Sequence, residues 1–259
     1  MNENRSSSTQ LNTITVTTLA LTAAAIATVA LGCGTSTTST AATSSAPPAT
    51  PVTSSAEPSP AAGAESACAA LGGTVGPDQT CHAHRENGYT LDFRFPVNYP
   101  DQQALTDVLT QQRDEFVDWV SSMPASSYPG ELDIIGHAYQ SSGTRSLVLT
   151  IGNQAGVHPV TTYQSLNYDL SKHAPITFDT LFKPGTQPLE VLKPIVQPEL
   201  DKHGATGSLT LDDLGAKAYQ NFAITDNAVL FFNQDGLLPH EKGPLTVEVP
   251  RTQIASFLA

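Results

Sequence analysis

The stretch YTLDFRFPVNYPDQQALTDVLTQQRDEFVDWVSS, Tyr89 to Ser122, contains two periodicities in succession. Tyr89, Leu91, Phe93 and Phe95 alternate with Thr90, Asp92 and Arg94, the period of two that marks a half-buried strand, and Pro96 ends it. Tyr99-Pro100-Asp101 then opens a helix with Asp101 as its N-cap. Leu105, Val108, Leu109, Phe116, Val117 and Val120 recur at helical spacing as far as Ser122. Asp107, Gln111, Asp114, Glu115 and Asp118 occupy the opposite face, and Met123-Pro124 stops the helix. Trp119 is expected to close the core end of this helix.

Downstream, Leu132–Gln140 and Ser146–Gly152 read as strands of a hairpin around Ser141 to Thr144, and Thr161–Leu170 as a third strand. Ile176–Phe182, after Pro175, reads as a helical turn. Pro188–His203 has a helical apolar pattern, but Pro194 and Pro198 each remove a backbone donor, so a kinked or interrupted helix is expected. Phe222–Thr225 and Ala228–Phe232 flank Asp226-Asn227, a two-residue hairpin turn. Leu245–Val249 is a last strand and Arg251–Leu258 a short terminal helix. Strands and helices come in unequal runs without βαβ alternation, which predicts an α+β fold with a mostly antiparallel sheet packed on one long amphipathic helix.

Upstream the composition changes. No Asp, Glu, Lys or Arg occurs between Arg5 and Glu57. Ile14 to Leu31 is an apolar run broken only by threonines, and Ala30-Leu31-Gly32-Cys33 closes it. A polar, weakly positive start, an apolar core and small residues before a cut site describe an export signal. The Cys after the cut site describes a bacterial lipoprotein signal over residues 1–32, with Cys33 lipidated. A plain cleaved signal and an uncleaved anchor are the alternatives, and each places the remaining chain outside the cytoplasmic membrane. Residues 33–67 are built from Ala, Ser, Thr, Pro and Gly, with too little apolar surface to offset their ordering entropy. They read as a disordered tether with an r.m.s. span of roughly 30 Å. Residues 68–259 form the folded domain, with enough chain for one substantial core.

All but Glu3, Glu57 and Glu65 of the 24 acids, and all but Arg5 of the 12 bases, fall in that domain. The formal net charge is −12. A surface so poor in cations does not bind nucleic acid, nor anionic lipid by charge alone. With Cys33 modified, Cys68 and Cys81 remain as a pair in an oxidising compartment, and a disulfide is the expected state. The competing reading, metal binding by Cys81-His82-Ala83-His84, fits no common zinc spacing, so no metal site is expected.

The chain has no Gly-x-Ser-x-Gly elbow, no P-loop, no dinucleotide glycine fingerprint and no His-Glu-x-x-His. No cofactor is expected. His158, in Gly156-Val157-His158-Pro159, sits at a constrained corner before the Thr161–Leu170 strand. Its plain reading is a corner histidine bonded to backbone. A Ser-His-Asp site is recognised by geometry rather than chain order, so Ser165 or Ser146 with His158 and Asp169 stands as a weak catalytic candidate. Tyr168-Asp169 stands at the other end of that strand, and the sequence does not show whether it faces the same cleft as His158.

The ordered series Cys68 and Cys81, Tyr99 to Gln102, Tyr139 to Ser141, His158-Pro159 with Thr161 to Tyr163, Pro194 to Gln197, Tyr219 to Ala223, Leu237 to Pro239 and Val249 to Arg251 resembles the mycobacterial secreted immunogenic protein family, the skin-test antigen type. From about Gly156 the chain also resembles the extracytoplasmic domain of lysozyme-sensing anti-sigma factors. The resemblance implies a β-grasp-like fold and an exported protein. It implies antigens, some esterases, and, for the anti-sigma type, a lysozyme-like partner. The thirteen residues before Ile14 leave no room for an anti-sigma cytoplasmic domain, so no transcriptional role is expected. Two function classes follow: a membrane-tethered, non-catalytic module that binds an envelope protein or glycan, and an esterase acting on small or lipid esters.

Overall fold

The computed structural model describes residues 66–123, 129–154, 159–204, 210–233 and 245–259. A short helix, α1 (Ala67–Ala70), is capped by the Ser66 hydroxyl, which accepts from Ala69 N. Four strands and a long helix follow: β1 (Thr74–Val75), β2 (Thr80–Glu86), β3 (Thr90–Pro96), α2 (Gln102–Ser122) and β4 (Glu131–Gln140). Then come β5 (Thr144–Gln154), β6 (Val160–Asp169), β7 (Ala174–Pro175), α3 (Phe178–Leu181), α4 (Pro188–Lys202) and α5 (Leu211–Leu214). A 3₁₀ turn at Gly215–Tyr219 leads to β8 (Phe222–Ile224), β9 (Ala228–Asn233), β10 (Leu245–Pro250) and α6 (Arg251–Ile254).

The strands form a seven-stranded sheet in the order β1 to β7 and a separate three-stranded sheet in the order β10-β9-β8. All neighbours are antiparallel except β3 and β4, which run parallel because α2 carries the chain back between them. The fold is therefore α+β with a mainly antiparallel sheet packed on a long helix.

Register decides what each face meets. Leu132 and Ile134 of β4 share a face with Leu147, Leu149 and Ile151 of β5. That face packs on Leu105, Leu109 and Phe116 of α2, together with Leu91, Phe93 and Phe95 of β3. The opposite face offers Tyr139, Val148 and Tyr163, which meet Ala223, Leu230 and Phe232 of the small sheet. The small sheet turns Phe222, Val229, Phe231, Val247 and Val249 the other way, onto Leu192, Val196 and Leu200 of α4. One core was expected; the chain divides its apolar residues between a helix–sheet core at each side and a smaller seam where the sheets meet. Leu147, Val148 and Leu149 are all buried because β5 is covered on both faces.

Three local expectations are corrected. The α4 helix runs through Pro194 and Pro198 without a break. Leu192, Val196 and Leu200 lie inward, whereas both prolines are exposed, so water solvates the carbonyls they leave unpaired. Trp119 does not close the core: it is 40% exposed and meets Phe116 edge-on at 6.3 Å. The terminal helix stops at Ile254, although Leu258 still bridges to Phe182. The α2 helix starts after Asp101, whose carboxylate accepts from Ala104 N at 3.0 Å, as its N-cap spacing requires.

Cys68 and Cys81 form the expected disulfide, with an S–S distance of 2.01 Å. Cys81 lies on strand β2, which pairs with β3 along its whole length. Both sulfurs sit in the core beneath α2. The nearby Gly73 is required for space, since a Cβ there would stand 2.8 Å from the Cys81 sulfur.

Candidate functional site

The small sheet presents its last strand, β8, edge-on to the large sheet. The backbone of Phe222 and Ile224 faces away from β9 and needs partners. Side chains of the large sheet supply them. Ile224 N donates to the Ser146 hydroxyl at 3.0 Å, and Phe222 N to the Ser165 hydroxyl at 3.0 Å. Asn167 Nδ2 donates to Phe222 O at 2.9 Å. The exchange is mutual, because Ser165 N donates to Asn221 Oδ1 at 3.1 Å. At the hairpin tip, Ser142 N donates to Asp226 Oδ1 at 2.9 Å. Ser146, Ser165 and Asn167 share one face of the sheet because they are paired across β5 and β6 or separated by two along β6.

Beside this seam lies a cleft of about 610 Å³. One wall is β6, with Tyr163, Ser165 and Asn167; the other is the 3₁₀ turn and the end of β9, with Lys217, Ala218 and Asn233. Ile176, Phe178 and Phe232 give it apolar surface. Tyr163 lies 5.4 Å from Phe232, ring centre to ring centre, and Phe178 stacks on Tyr219 at 5.8 Å. Five carboxamides line the cleft: Gln164, Asn167, Gln220, Asn221 and Asn233. Lys217 is the only charged side chain among the described lining residues. Asn233 and Asn167 are 2% and 4% exposed. Among the described residues both polar atoms of the Asn233 side chain, and Oδ1 of Asn167, are closed to solvent and have no hydrogen-bond partner. The hydroxyl of Tyr219, behind the wall, also has no partner among the described residues, and burial pushes its pKa up to about 12.

The catalytic candidates that lie among the described residues, Ser146, Ser165 and Asp169, are bonded to other groups. The Ser165 hydroxyl donates to Gln220 O at 3.3 Å while accepting from Phe222 N, so its proton is held by a carbonyl. Ser146 is 2% exposed and bonded to Ile224. Among the described residues no histidine hydrogen-bonds either serine, whereas a nucleophile needs a base within about 2.6–3.2 Å. Asp169 is turned to its own loop: its carboxylate accepts from the Ser171 hydroxyl at 2.7 Å and from Ser171 N and Lys172 N. The Ser171 hydroxyl bond foremost lowers its pKa to about 2. Tyr168 and Asp169 face opposite sides of the sheet, with Tyr168 against the α2 core. His158 and Cys33 lie outside the described residues.

Sequence reasoning missed the carboxamides. A signal was present: Asn167 and Asn233 stand at positions where the strand pattern calls for an inward side chain, Asn233 directly after Phe231-Phe232.

The chain is 47% identical over 204 residues to Esterase Rv3036c of Mycobacterium tuberculosis, a match covering 75% of this chain and 90% of that protein. It is 39% identical over 190 residues to Immunogenic protein MPT64 of M. tuberculosis and, by the same figures, to Immunogenic protein MPB64 of Mycobacterium bovis, covering 70% of this chain and 83% of each. Residues 179–252 match a family described as a protein of unknown function, DUF3298. A solved DUF3298 family protein from Pseudomonas aeruginosa aligns with a TM-score of 0.49 at 14% identity, over 71% of this chain and 96% of that one.

Proposed function

The chain belongs to the mycobacterial MPB64/MPT64 immunogenic protein family, and from that premise we propose that it is an exported, non-catalytic binding module whose ligand occupies the cleft between β6 and the 3₁₀ turn. One observation carries the reading: both serines of the hydrolase alternative hold the backbone of β8, and among the described residues no histidine hydrogen-bonds either of them. Export and anchoring belong to the same proposal. Residues 1–32 are the signal, Cys33 carries the lipid at the outer face of the membrane, and residues 33–67 hold the domain away from it. Among the described residues no helix is long and apolar enough to cross a membrane. Metabolic labelling with a fatty-acid analogue checks the anchor: label is expected in the native protein and absent from Cys33→Ala.

The name of the 47% identical relative supports a second reading, ester hydrolysis, with Ser165 as the serine that opens on the cleft. Hydrolysis of a chromogenic short-chain ester by the purified protein separates the two. A binding module gives no turnover above buffer. Turnover that disappears in Ser165→Ala, with the fold intact, overturns the first reading.

A further inference from the structure

One edge of the large sheet is left open part-way along a strand. β1 pairs with β2 only at Val75 with Cys81 and Thr74 with His82, because the chain before it turns away toward α1 at Gly72, where φ is +69°. Beyond His82, β2 runs on to Glu86 with β3 on one side alone. The flanking bonds fix which way its backbone points. Gly76 N donates to Thr80 O on the β1 side, and Val97 N donates to Gln79 O on the β3 side. The β2–β3 register is unbroken from Thr80 to Glu86, so even-numbered residues turn their N–H and C=O toward β1 and odd-numbered ones toward β3. The N–H and C=O of His84 and of Glu86 therefore point outward, and none has a backbone partner among the described residues. Groups in that array template the addition of another strand.

The side chains along the edge decide which strand fits. On the outer face the charges answer one another: the His84 ring donates to Asp92 at 2.7 Å, and Glu86 lies 3.5 Å from its other nitrogen. On the inner face Cys81 and Ala83 enter the core beneath α2. Arg85 follows them in the alternation, opposite the buried Leu91, where an apolar side chain would extend that core. Arg85 is exposed and makes no ion pair among the described residues. A second copy of this chain fits poorly. Two-fold antiparallel pairing through His84 and Glu86 sets the two Arg85 side chains against each other in the narrow, non-hydrogen-bonded position, with Cα atoms about 4.5 Å apart, where like charges are destabilising.

We propose that the β2 edge from His84 to Glu86 takes an extended peptide carrying a carboxylate opposite Arg85, added antiparallel in line with β1. His84 and Glu86 supply the main-chain bonds, and Arg85 selects the side chain. The edge shares no residue with the cleft and goes beyond the reading given for it.

The test titrates the full-length protein with two capped five-residue threonine peptides, one with glutamate at its centre and one with lysine. The backbone amide NMR signals of His84 and Glu86 are followed. The glutamate peptide is expected to move both signals and to bind at least about threefold more tightly than the lysine peptide, the scale of an exposed charge pair across an added strand. Arg85→Glu is expected to reverse that preference and, because Arg85 is exposed, to leave the thermal midpoint unchanged. No movement of the His84 and Glu86 signals, equal binding of the two peptides, or a preference that survives Arg85→Glu each overturns the proposal. So does movement of those signals on raising the protein concentration alone, which puts a second copy on the edge. All of these outcomes leave the cleft reading standing, and Ser165-dependent ester hydrolysis, which removes that reading, leaves this one standing.

Discussion

Replacing Ser146 by Ala removes one oxygen from the seam between the sheets. That oxygen accepts from Ile224 N at 3.0 Å, and the two residues are 2% and 4% exposed. Water does not reach the orphaned N–H, so the loss is that of an unsatisfied buried donor, about 2 kcal/mol within a range of roughly 1–3. For a domain of this size each kcal/mol moves the thermal midpoint by about 2–4 °C, so a fall of about 4–8 °C is expected. Ser165→Ala removes two bonds, yet its site opens on the cleft and water replaces part of the loss; about 1 kcal/mol is expected. Ser122→Ala is the control, since its bond to Trp119 O lies at an exposed helix end and is expected to change stability by less than about 0.5 kcal/mol. Urea unfolding followed by circular dichroism measures all three. If Ser146→Ala lies as close to wild type as Ser122→Ala, the claim that side chains of the large sheet support β8 is wrong.

Reduction of Cys68–Cys81 is expected to cost about 3 kcal/mol from chain entropy, with amide-exchange protection lost in α1, β1 and β2 and retained in β5 and β6; uniform loss contradicts this. His84 Nδ1–H donates to the Asp92 carboxylate at 2.7 Å, and that hydrogen bond foremost raises its pKa above the usual imidazole value. Its stabilising effect is therefore present below the unfolded-state pKa and lost as pH rises through the higher folded value; an NMR titration is expected to show a drop in that pKa in Asp92→Asn. Gly136→Ala places a Cβ 2.7 Å from the Phe95 Cβ in a core strand, and thermal melting is expected to report about 1–3 kcal/mol of destabilisation.

The elements that sequence made legible are those whose own side chains declare a period. β3, α2, β4 to β6 and the β8–β9 hairpin all carry one, and Asp101 marks the start of α2. Strand β2 was hidden because its outward residues, His82 and His84, with the flanking cysteine, suggested a ligand set, while its inward residues include only Cys81 and Ala83. The prolines of α4 misled because the sequence does not show that both fall on the solvent side of a helix held by Leu192, Val196 and Leu200. The division into two sheets was invisible for a different reason: the bonds that join them run from serine and asparagine side chains to backbone and leave no pattern in hydropathy. The same residues explain the fate of the candidate site. Ser165 was found as a serine, but its role depends on Gln220 and Phe222, more than fifty positions away.

The support of β8 by the large sheet bears on how this protein can be divided. The stretch matching the family of unknown function, residues 179–252, contains the whole small sheet but neither Ser146, Ser165 nor Asn167. Expressed as a fragment, it would present the outward N–H groups of Phe222 and Ile224 on an apolar strand with nothing to meet them. Such an edge recruits another copy of itself. Self-association of that fragment, suppressed by adding β4 to β6, is the behaviour this seam implies, and the shortest cut that keeps the small sheet monomeric begins before β4 rather than at residue 179.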